Sequence, residues 1–370
     1  MKYLFFLVIL PVFLAGVQLN GQGSFAGGLG IGSQGGSVIV MDENFYMPQL
    51  DRTRRIWLYL PPGYETSGKS YPVLYMHDGQ NLFDASTSFA GEWQVDETLN
   101  GLYGQGLEVP IVVGIDNGGM NRIGEYTPWP HAVHGGGDGD LYVQFIIQTL
   151  KPHIDQNYRT LPGREHTGIM GSSLGALISH YAALQYPEVF SKAGLFSPSY
   201  WWSANVWPFT SEAGHQDAMR IYLMCGGQEG QGTINNMLAM RDTLLASGFS
   251  EDEVVSKVIP GGQHNENLWR QDFGEAYLWL FGSFANNINV IPGRTEIMLF
   301  PNPTAGILYL PEDFPGEFDS IEAFDNAGKP VLKQAPFYGK QVDVTRVAPG
   351  AYHLKLLSKG EVFQGRFIKE

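Results

Sequence analysis

The sequence predicts an α/β protein built on a doubly wound, mostly parallel sheet and followed by a small all-β sandwich. Three observations predict it. Short apolar runs recur between residues 73 and 224, each continuous over about five residues, as in strands covered on both faces. Stretches with helical spacing lie between these runs, and strand alternating with helix is the βαβ pattern. Near Asn289 the alternation stops, and short strand-like pieces separated by turns follow.

In chain order, Lys2 leads an apolar run, Tyr3 to Ala15, which small and polar residues close. That pattern describes a secretory signal peptide over residues 1–22. No stretch reaches the ~18 apolar residues of a membrane-spanning helix, so no transmembrane segment is expected. Residues 23–37, dominated by Gly, Ser and Gln, read as a flexible lead-in. Val38–Val40 and Arg55–Leu60 alternate as half-buried antiparallel strands do, and Pro61-Pro62-Gly63 closes the second. The buried parallel strands are Val73–Met76, Pro110–Ile115, His166–Met170, Ala193–Phe196 and Ile221–Met224. The expected helices are Leu141–Asn157, Ala176–Tyr186, Ile234–Ser247 and Trp269–Asn286. These elements assign residues 38–288 to one α/β domain, 289–297 to a linker and 298–370 to the β-sandwich. Turns at Asn302-Pro303, Asn326-Ala327-Gly328 and Pro349-Gly350 punctuate the last segment.

Composition narrows the function. The 370 residues are 44% hydrophobic, enough for a large core, and carry 23 Lys and Arg against 37 Asp and Glu. A net charge of −14 repels phosphate backbones and anionic lipid, so nucleic acid is not an expected partner. Cys225 is the one cysteine, which excludes an internal disulfide; inside the run Ile221–Cys225 it reads as a core residue.

The chemistry centres on Gly171-Ser172-Ser173-Leu174-Gly175, between the strand ending at Met170 and the helix beginning at Ala176. A Gly-x-Ser-x-Gly turn in that context is a nucleophile elbow: the tight turn exposes the serine and the helix N-terminus aims amides at an anion. A serine nucleophile needs a base, and the base an orienting carboxylate, in the chain order Ser, acid, His. His180, His215, His264 and His353 follow Ser173. His180 sits inside the helix leaving the elbow, His353 lies in the C-terminal segment, and His215 precedes the strand that should deliver the acid. His264, in the glycine-loosened loop Gly261-Gly262-Gln263-His264, remains. Glu229 follows the strand Ile221–Cys225 and is the candidate acid, with the cluster Glu251-Asp252-Glu253 as its alternative. Oxyanion donors are expected from the backbone N–H of Leu174 and from the loop His77-Asp78-Gly79-Gln80-Asn81, Gly79 first. Gln80, Trp129, Tyr200, Trp201 and Trp202 are candidate substrate contacts, the aromatics as walls of an acyl or sugar pocket; Trp207 could join them. His131, His134, Asp138 and Asp140 lack a regular element to fix ligand geometry, so no metal is expected, and no glycine pattern suits a nucleotide cofactor.

These residues resemble the esterase family of α/β hydrolases that includes esterase D, enterochelin-esterase-like proteins and feruloyl or acetyl-xylan esterases. The resemblance spans roughly residues 38–286 and rests on Tyr75–Asp84, Gly114–Asn117 with Arg122 and Glu125–Pro128, Gly171–Gly175, and His264–Glu266 with Trp269-Arg270. It implies the triad Ser173, Glu229 and His264, with amides at Gly79 and Leu174. Where the family often has another glycine after Gly175, this chain has Ala176. The C-terminal segment looks like the sorting domain of the type IX secretion system, through Phe300–Gly306, Asp325–Gly328 and Ala348–Tyr352. That resemblance implies export through the periplasm to the cell surface or beyond, with the secretion machinery as partner; an attached carbohydrate-binding or adhesive module is the alternative. The expected activity is hydrolysis of a small-molecule or polysaccharide-linked ester, feruloyl, acetyl or siderophore-type. Acyl transfer by the same triad, and a non-catalytic cell-surface binding role, are the competing readings.

Overall fold

Continuous apolar runs become buried strands, and the segments with helical spacing cover them on both sides. The structure, a computed structural model, describes residues 35–285, 294–297, 299, 301–311, 316–325, 329–358 and 361–370. The expected signal peptide, most of the lead-in and the turn Asn326-Ala327-Gly328 lie outside these residues.

One sheet holds β1 (Ser37–Met47), β2 (Arg52–Leu60), β3 (Val73–His77), β4 (Ile111–Ile115), β5 (Thr167–Ser172), β6 (Lys192–Phe196), β7 (Arg220–Gly226) and β8 (Val254–Ile259). Its order is β1-β2-β4-β3-β5-β6-β7-β8. The pairs β1–β2 and β2–β4 are antiparallel, and every later pair is parallel. The helices are α1 (Val95–Gly104), α2 (Arg122–Glu125), α3 (Gly139–Phe145), α4 (Lys151–Asn157), α5 (Leu174–Gln185), α6 (Val206–Ala213), α7 (Gln231–Ala246) and α8 (Glu266–Ala285). A π-helical segment, Ile146–Leu150, joins α3 to α4, so the single expected helix over 141–157 is observed as three consecutive pieces.

Alternation along the strands sorts side chains onto two faces. Tyr75, Val113, Ile169, Leu195 and Leu223 share one apolar core with α3, α5 and α7. Leu74, Met76, Val112, Met170 and Met224 share the other with α1 and α8. Each fully buried side chain of this size stabilises the fold by roughly 1.5–3 kcal/mol. Parallel strands joined by right-handed crossovers all point their C-terminal ends the same way. Residues just after β3, β5, β6 and β7 therefore gather along one edge. Cys225 lies inside the first core, where burial pushes its thiol up to about 12.

The C-terminal strands are β9 (Arg294–Glu296), β10 (Ile307–Tyr309), β11 (Glu317–Phe318), β12 (Ser320–Asp325), β13 (Pro330–Gln334), β14 (Phe337–Tyr338), β15 (Gln341–Asp343), β16 (Gly350–Ser358) and β17 (Glu361–Lys369). They form a five-stranded sheet, β13-β12-β16-β17-β9, and two two-stranded ladders, β10-β15 and β11-β14, over a core that includes Leu308, Ile321, Leu354, Leu356 and Phe367. Because β9 pairs with β17, the end of the expected linker 289–297 belongs to this β unit. Among the described residues no helix is long and apolar enough to cross a membrane.

Candidate active site

Ser173 sits where β5 turns into α5, with φ 59° and ψ −120°. A non-glycine residue in that region is strained, at a cost of about 1–3 kcal/mol that the surrounding packing must hold in place. The glycines permit the turn: a Cβ on Gly171 would stand 2.8 Å from the Gly175 carbonyl and 2.8 Å from Cδ2 of His77. His77 is buried beneath the elbow, its Nδ1 paired with the Tyr142 hydroxyl at 2.9 Å. Burial brings its pKa down to about 3, so the ring is neutral. Ser173 N donates to Phe196 O at 2.9 Å, and Ser173 O accepts from Ser199 N at 3.1 Å. The Ser173 hydroxyl pairs with Ser199 Oγ at 3.2 Å. Leu174 opens α5, so the helix itself makes no use of its N–H.

Glu229 follows β7 and reaches His264, whose Nδ1 lies 2.8 Å from Glu229 Oε2. The other carboxylate oxygen accepts Ser197 Oγ and Gly226 N, both at 2.6 Å. Burial favours protonation of this carboxyl, but the donors from His264, Ser197 and Gly226 outweigh it and hold the pKa below the ordinary glutamate value. An ionised Glu229 accepts only, so a neutral His264 carries its proton on Nδ1 and leaves Nε2 unprotonated. The glutamate side chain is 1% exposed and the histidine 43%, which leaves the imidazole open to solvent. The alternative acid is elsewhere: Glu253 takes His215 Nε2 at 2.9 Å and Met219 N at 3.0 Å.

On the other side of Ser173, β3 ends at His77 and Asp78 takes a left-handed conformation, φ 56° and ψ 48°, into a 3₁₀ turn over Gly79–Asn81. The first N–H that this turn uses is that of Asn81, bonded to Asp78 O at 2.9 Å, so those of Gly79 and Gln80 are not spent on it. A Cβ on Gly79 would come within 2.8 Å of Asp116 N and of the Gly114 and Ile115 carbonyl carbons, so only glycine fits against the end of β4. Arg122 grips Asp78 with two bonds, Nε to Oδ1 at 2.7 Å and Nη2 to Oδ2 at 2.8 Å. Asn117 Nδ2 adds a third at 2.7 Å, and the Tyr126 hydroxyl accepts the Asp78 N–H at 3.0 Å. Burial acts to raise the Asp78 carboxyl, and the Arg122 charge and these donors bring it below its usual value. The strand-to-helix segment that carries Asn117 and Arg122 is itself tied down, through Asp116 to Arg55 and Trp57 at 2.7 Å each and through fully buried Glu125 to Arg54.

The candidate substrate contacts separate. Trp201 is 58% exposed, whereas Trp202 is buried with its indole N–H on Trp129 O at 2.8 Å. Trp129 packs against Tyr181 and Phe209. Gln80 Oε1 accepts Asn117 N at 3.1 Å. Tyr200 is 2% exposed and its hydroxyl meets His180 Nδ1 at 3.0 Å, a polar partner for the buried histidine. His131 and His134 stack at 4.7 Å beside Trp202, while Asp140 serves Tyr181, Tyr186 and Gln144 instead. Sequence reasoning gave no role to Ser197, Ser199, Asn117 or Trp269. Asn117 and Trp269 lie in the blocks that carry the resemblance; for Ser197 and Ser199 the signal was position, since they directly follow a strand end on the edge where the site gathers.

Residues 48–280 match the family described as "Putative esterase", and residues 298–370 match the "Secretion system C-terminal sorting domain". The chain is 31% identical over 242 residues to the Bacillus subtilis (strain 168) protein YbbA, covering 62% of this chain and 93% of that one. It is 25% identical over 242 residues to the endo-1,4-beta-xylanase/feruloyl esterase of Xylanibacter ruminicola, covering 63% of this chain but 30% of that protein. The crystal structure of the Shigella flexneri enterobactin esterase superposes with a TM-score of 0.51 at 21% identity, over 67% of this chain and 59% of that one. At that identity the superposition speaks for the fold.

Proposed function

The chain belongs to the Putative esterase family and is a carboxylic ester hydrolase; from that premise we propose that it acts through an acyl-enzyme on Ser173, with His264 as base and Glu229 as the acid that orients it. The observation that carries the reading is the Glu229–His264 bond of 2.8 Å on the same sheet edge as a strained serine with φ 59°. Ser173 Oγ turns from Ser199 toward His264 Nε2, gives up its proton there and attacks the ester carbonyl. The negative oxygen of the tetrahedral intermediate is met by the amide of Leu174 and by the leading amides of the 3₁₀ turn, Gly79 first. His264 returns the proton to the leaving alcohol. Water then attacks the acyl carbonyl as it loses a proton to the same imidazole; the bond to Ser173 Oγ breaks, His264 returns that proton to Oγ, and the acid leaves. The exposure of His264 gives water access.

The feruloyl esterase and enterobactin esterase likenesses support acyl esters of carbohydrate or siderophore-type esters as substrates, with Trp201 and Trp129 as candidate contacts. The sorting domain indicates secretion or cell-surface export. We assign residues 1–22 to a signal peptide, 38–288 to the esterase domain and 298–370 to the sorting domain, which engages the type IX machinery after passage through the periplasm. The test is hydrolysis of p-nitrophenyl acetate by the full chain beside Ser173→Ala and His264→Ala. Loss of about three orders of magnitude or more in both variants is expected. Activity that survives Ser173→Ala would overturn the assignment.

A further inference from the structure

The histidine of this site stands on a glycine-bearing loop after β8. Gly261 and Gly262 precede it, Gly261 with φ 74°, and its side chain is 43% exposed. Besides the Glu229 carboxylate, one indole packs against its ring. Trp269, 5% exposed in α8, sets its ring against that of His264 at 5.2 Å and 84°. The same indole sends its N–H to Ser197 Oγ at 2.8 Å. Trp93 packs against it at 5.6 Å.

Proton bookkeeping then leaves Ser197 no choice. An indole N–H only donates and a carboxylate only accepts. Ser197 Oγ already receives the Trp269 proton, so its own proton points to Glu229 Oε1, 2.6 Å away. Ser197 is fully buried, holds a positive φ of 48° and binds Met224 O through its N–H at 2.6 Å, so the hydroxyl starts from a fixed backbone. With Gly226 N on the same oxygen, Oε1 has two donors and Oε2 is left for the histidine.

We infer that Ser197 and Trp269 are positioning residues for the Glu229–His264 pair: the indole orients the Ser197 hydroxyl, and that hydroxyl keeps Glu229 ionised and aimed at Nδ1. The inference rests on the triad proposed above. Both residues act through the acid and base and touch no reacting atom. Besides each other, Glu229 and His264 feel Cys225 on β7, which burial keeps as a neutral thiol, and Glu266 at the head of α8. Neither is altered by the variants below.

The experiment is the pH dependence of kcat/KM for p-nitrophenyl acetate, with the full chain, Ser197→Ala, Trp269→Phe, the double variant and Ser173→Ala, each checked for folding by thermal unfolding. Removing the hydroxyl makes the Glu229 anion less satisfied and its pull on a protonated His264 stronger. The acid limb therefore moves to higher pH, by about one unit, a tenfold change in proton affinity. Trp269→Phe keeps an aromatic ring and loses the N–H, so it shifts the limb the same way. The double variant shifts it no further than Ser197→Ala, because the indole works through the serine. Limbs that superpose on the parent in folded variants would overturn the inference, and so would additive shifts. Activity that persists in Ser173→Ala would instead break the triad reading beneath it.

Discussion

The two flanks of Ser173 both depend on a buried carboxylate held below its ordinary pKa, and they reach that state differently. Glu229 is satisfied by a hydroxyl, a backbone amide and an imidazole. Asp78 is satisfied by the two-pronged Arg122 guanidinium and the Asn117 amide. The exposures differ as well: the partner of Glu229 is 43% exposed, the partner of Asp78 25%. In the proposed cycle His264 gains and loses a proton in each half-reaction. Its acid must stay ionised while the imidazole is neutral, and neutral donors secure that. The Asp78 flank carries amides that must stand still, and a permanent ion pair suits it. In that proposed cycle one side of the site changes charge and the other keeps it.

Breaking the fixed side should produce the largest stability effect. Arg122→Met leaves the Asp78 carboxylate buried without its cation, and a cost of about 3 kcal/mol is expected in urea unfolding, with a fall in kcat. Adding Asp78→Asn should recover much of the stability, since an unpaired buried charge costs more than a missing pair. If Arg122→Met unfolds like the parent, the clamp is not what holds the loop.

A smaller but sharper effect is expected at Gly79. Gly79→Ala drives a methyl into backbone atoms 2.8 Å away at the end of β4. Overpacking of this kind costs about 1–3 kcal/mol, and displacement of the turn should lower kcat much more than it raises KM. Unchanged kcat in a folded variant would remove that turn from the oxyanion role.

The smallest effect concerns acid stability. Burial acts to raise the Glu253 carboxyl, but N–H donors from Ser250 and Met219 and the His215 ring bring it down to about 2. A depressed folded pKa means stability that is fully present above the unfolded glutamate value of about 4.3 and lost as pH falls toward the folded one. Glu253→Gln should therefore flatten the fall in melting temperature between about pH 4 and pH 2 and leave esterase kinetics at neutral pH unaltered. A change in kinetics would return this cluster to the list of candidate acids.

Much of this architecture was legible in the sequence because the central strands are buried on both faces and read as continuous apolar runs. The strand β8 was not, since Val254-Val255-Ser256-Lys257-Val258-Ile259 is a half-exposed edge that mixes polar with apolar residues. Helices α1 and α6 escaped for a related reason: three of the residues of α1 and two of those of α6 are buried, so neither shows a long apolar stripe. In the site, Ser173 stood out through its turn, and His264 and Glu229 through chain order. The pairings among the groups around them did not. Ser197 and Trp269 are 72 residues apart, and Arg122 meets Asp78 across 44. Pairings of that reach are set by the sheet order, which brings strand ends from distant parts of the chain to one edge, and no local pattern encodes them.

The most direct test of the central claim is covalent labelling of the full chain with a fluorophosphonate, followed by peptide mass mapping. A reactive serine in the proposed elbow gives a single adduct on the peptide that carries Ser173, in step with loss of esterase activity, and none in Ser173→Ala. An adduct on another residue that tracks the loss of activity, or full activity in a labelled Ser173, would contradict the account.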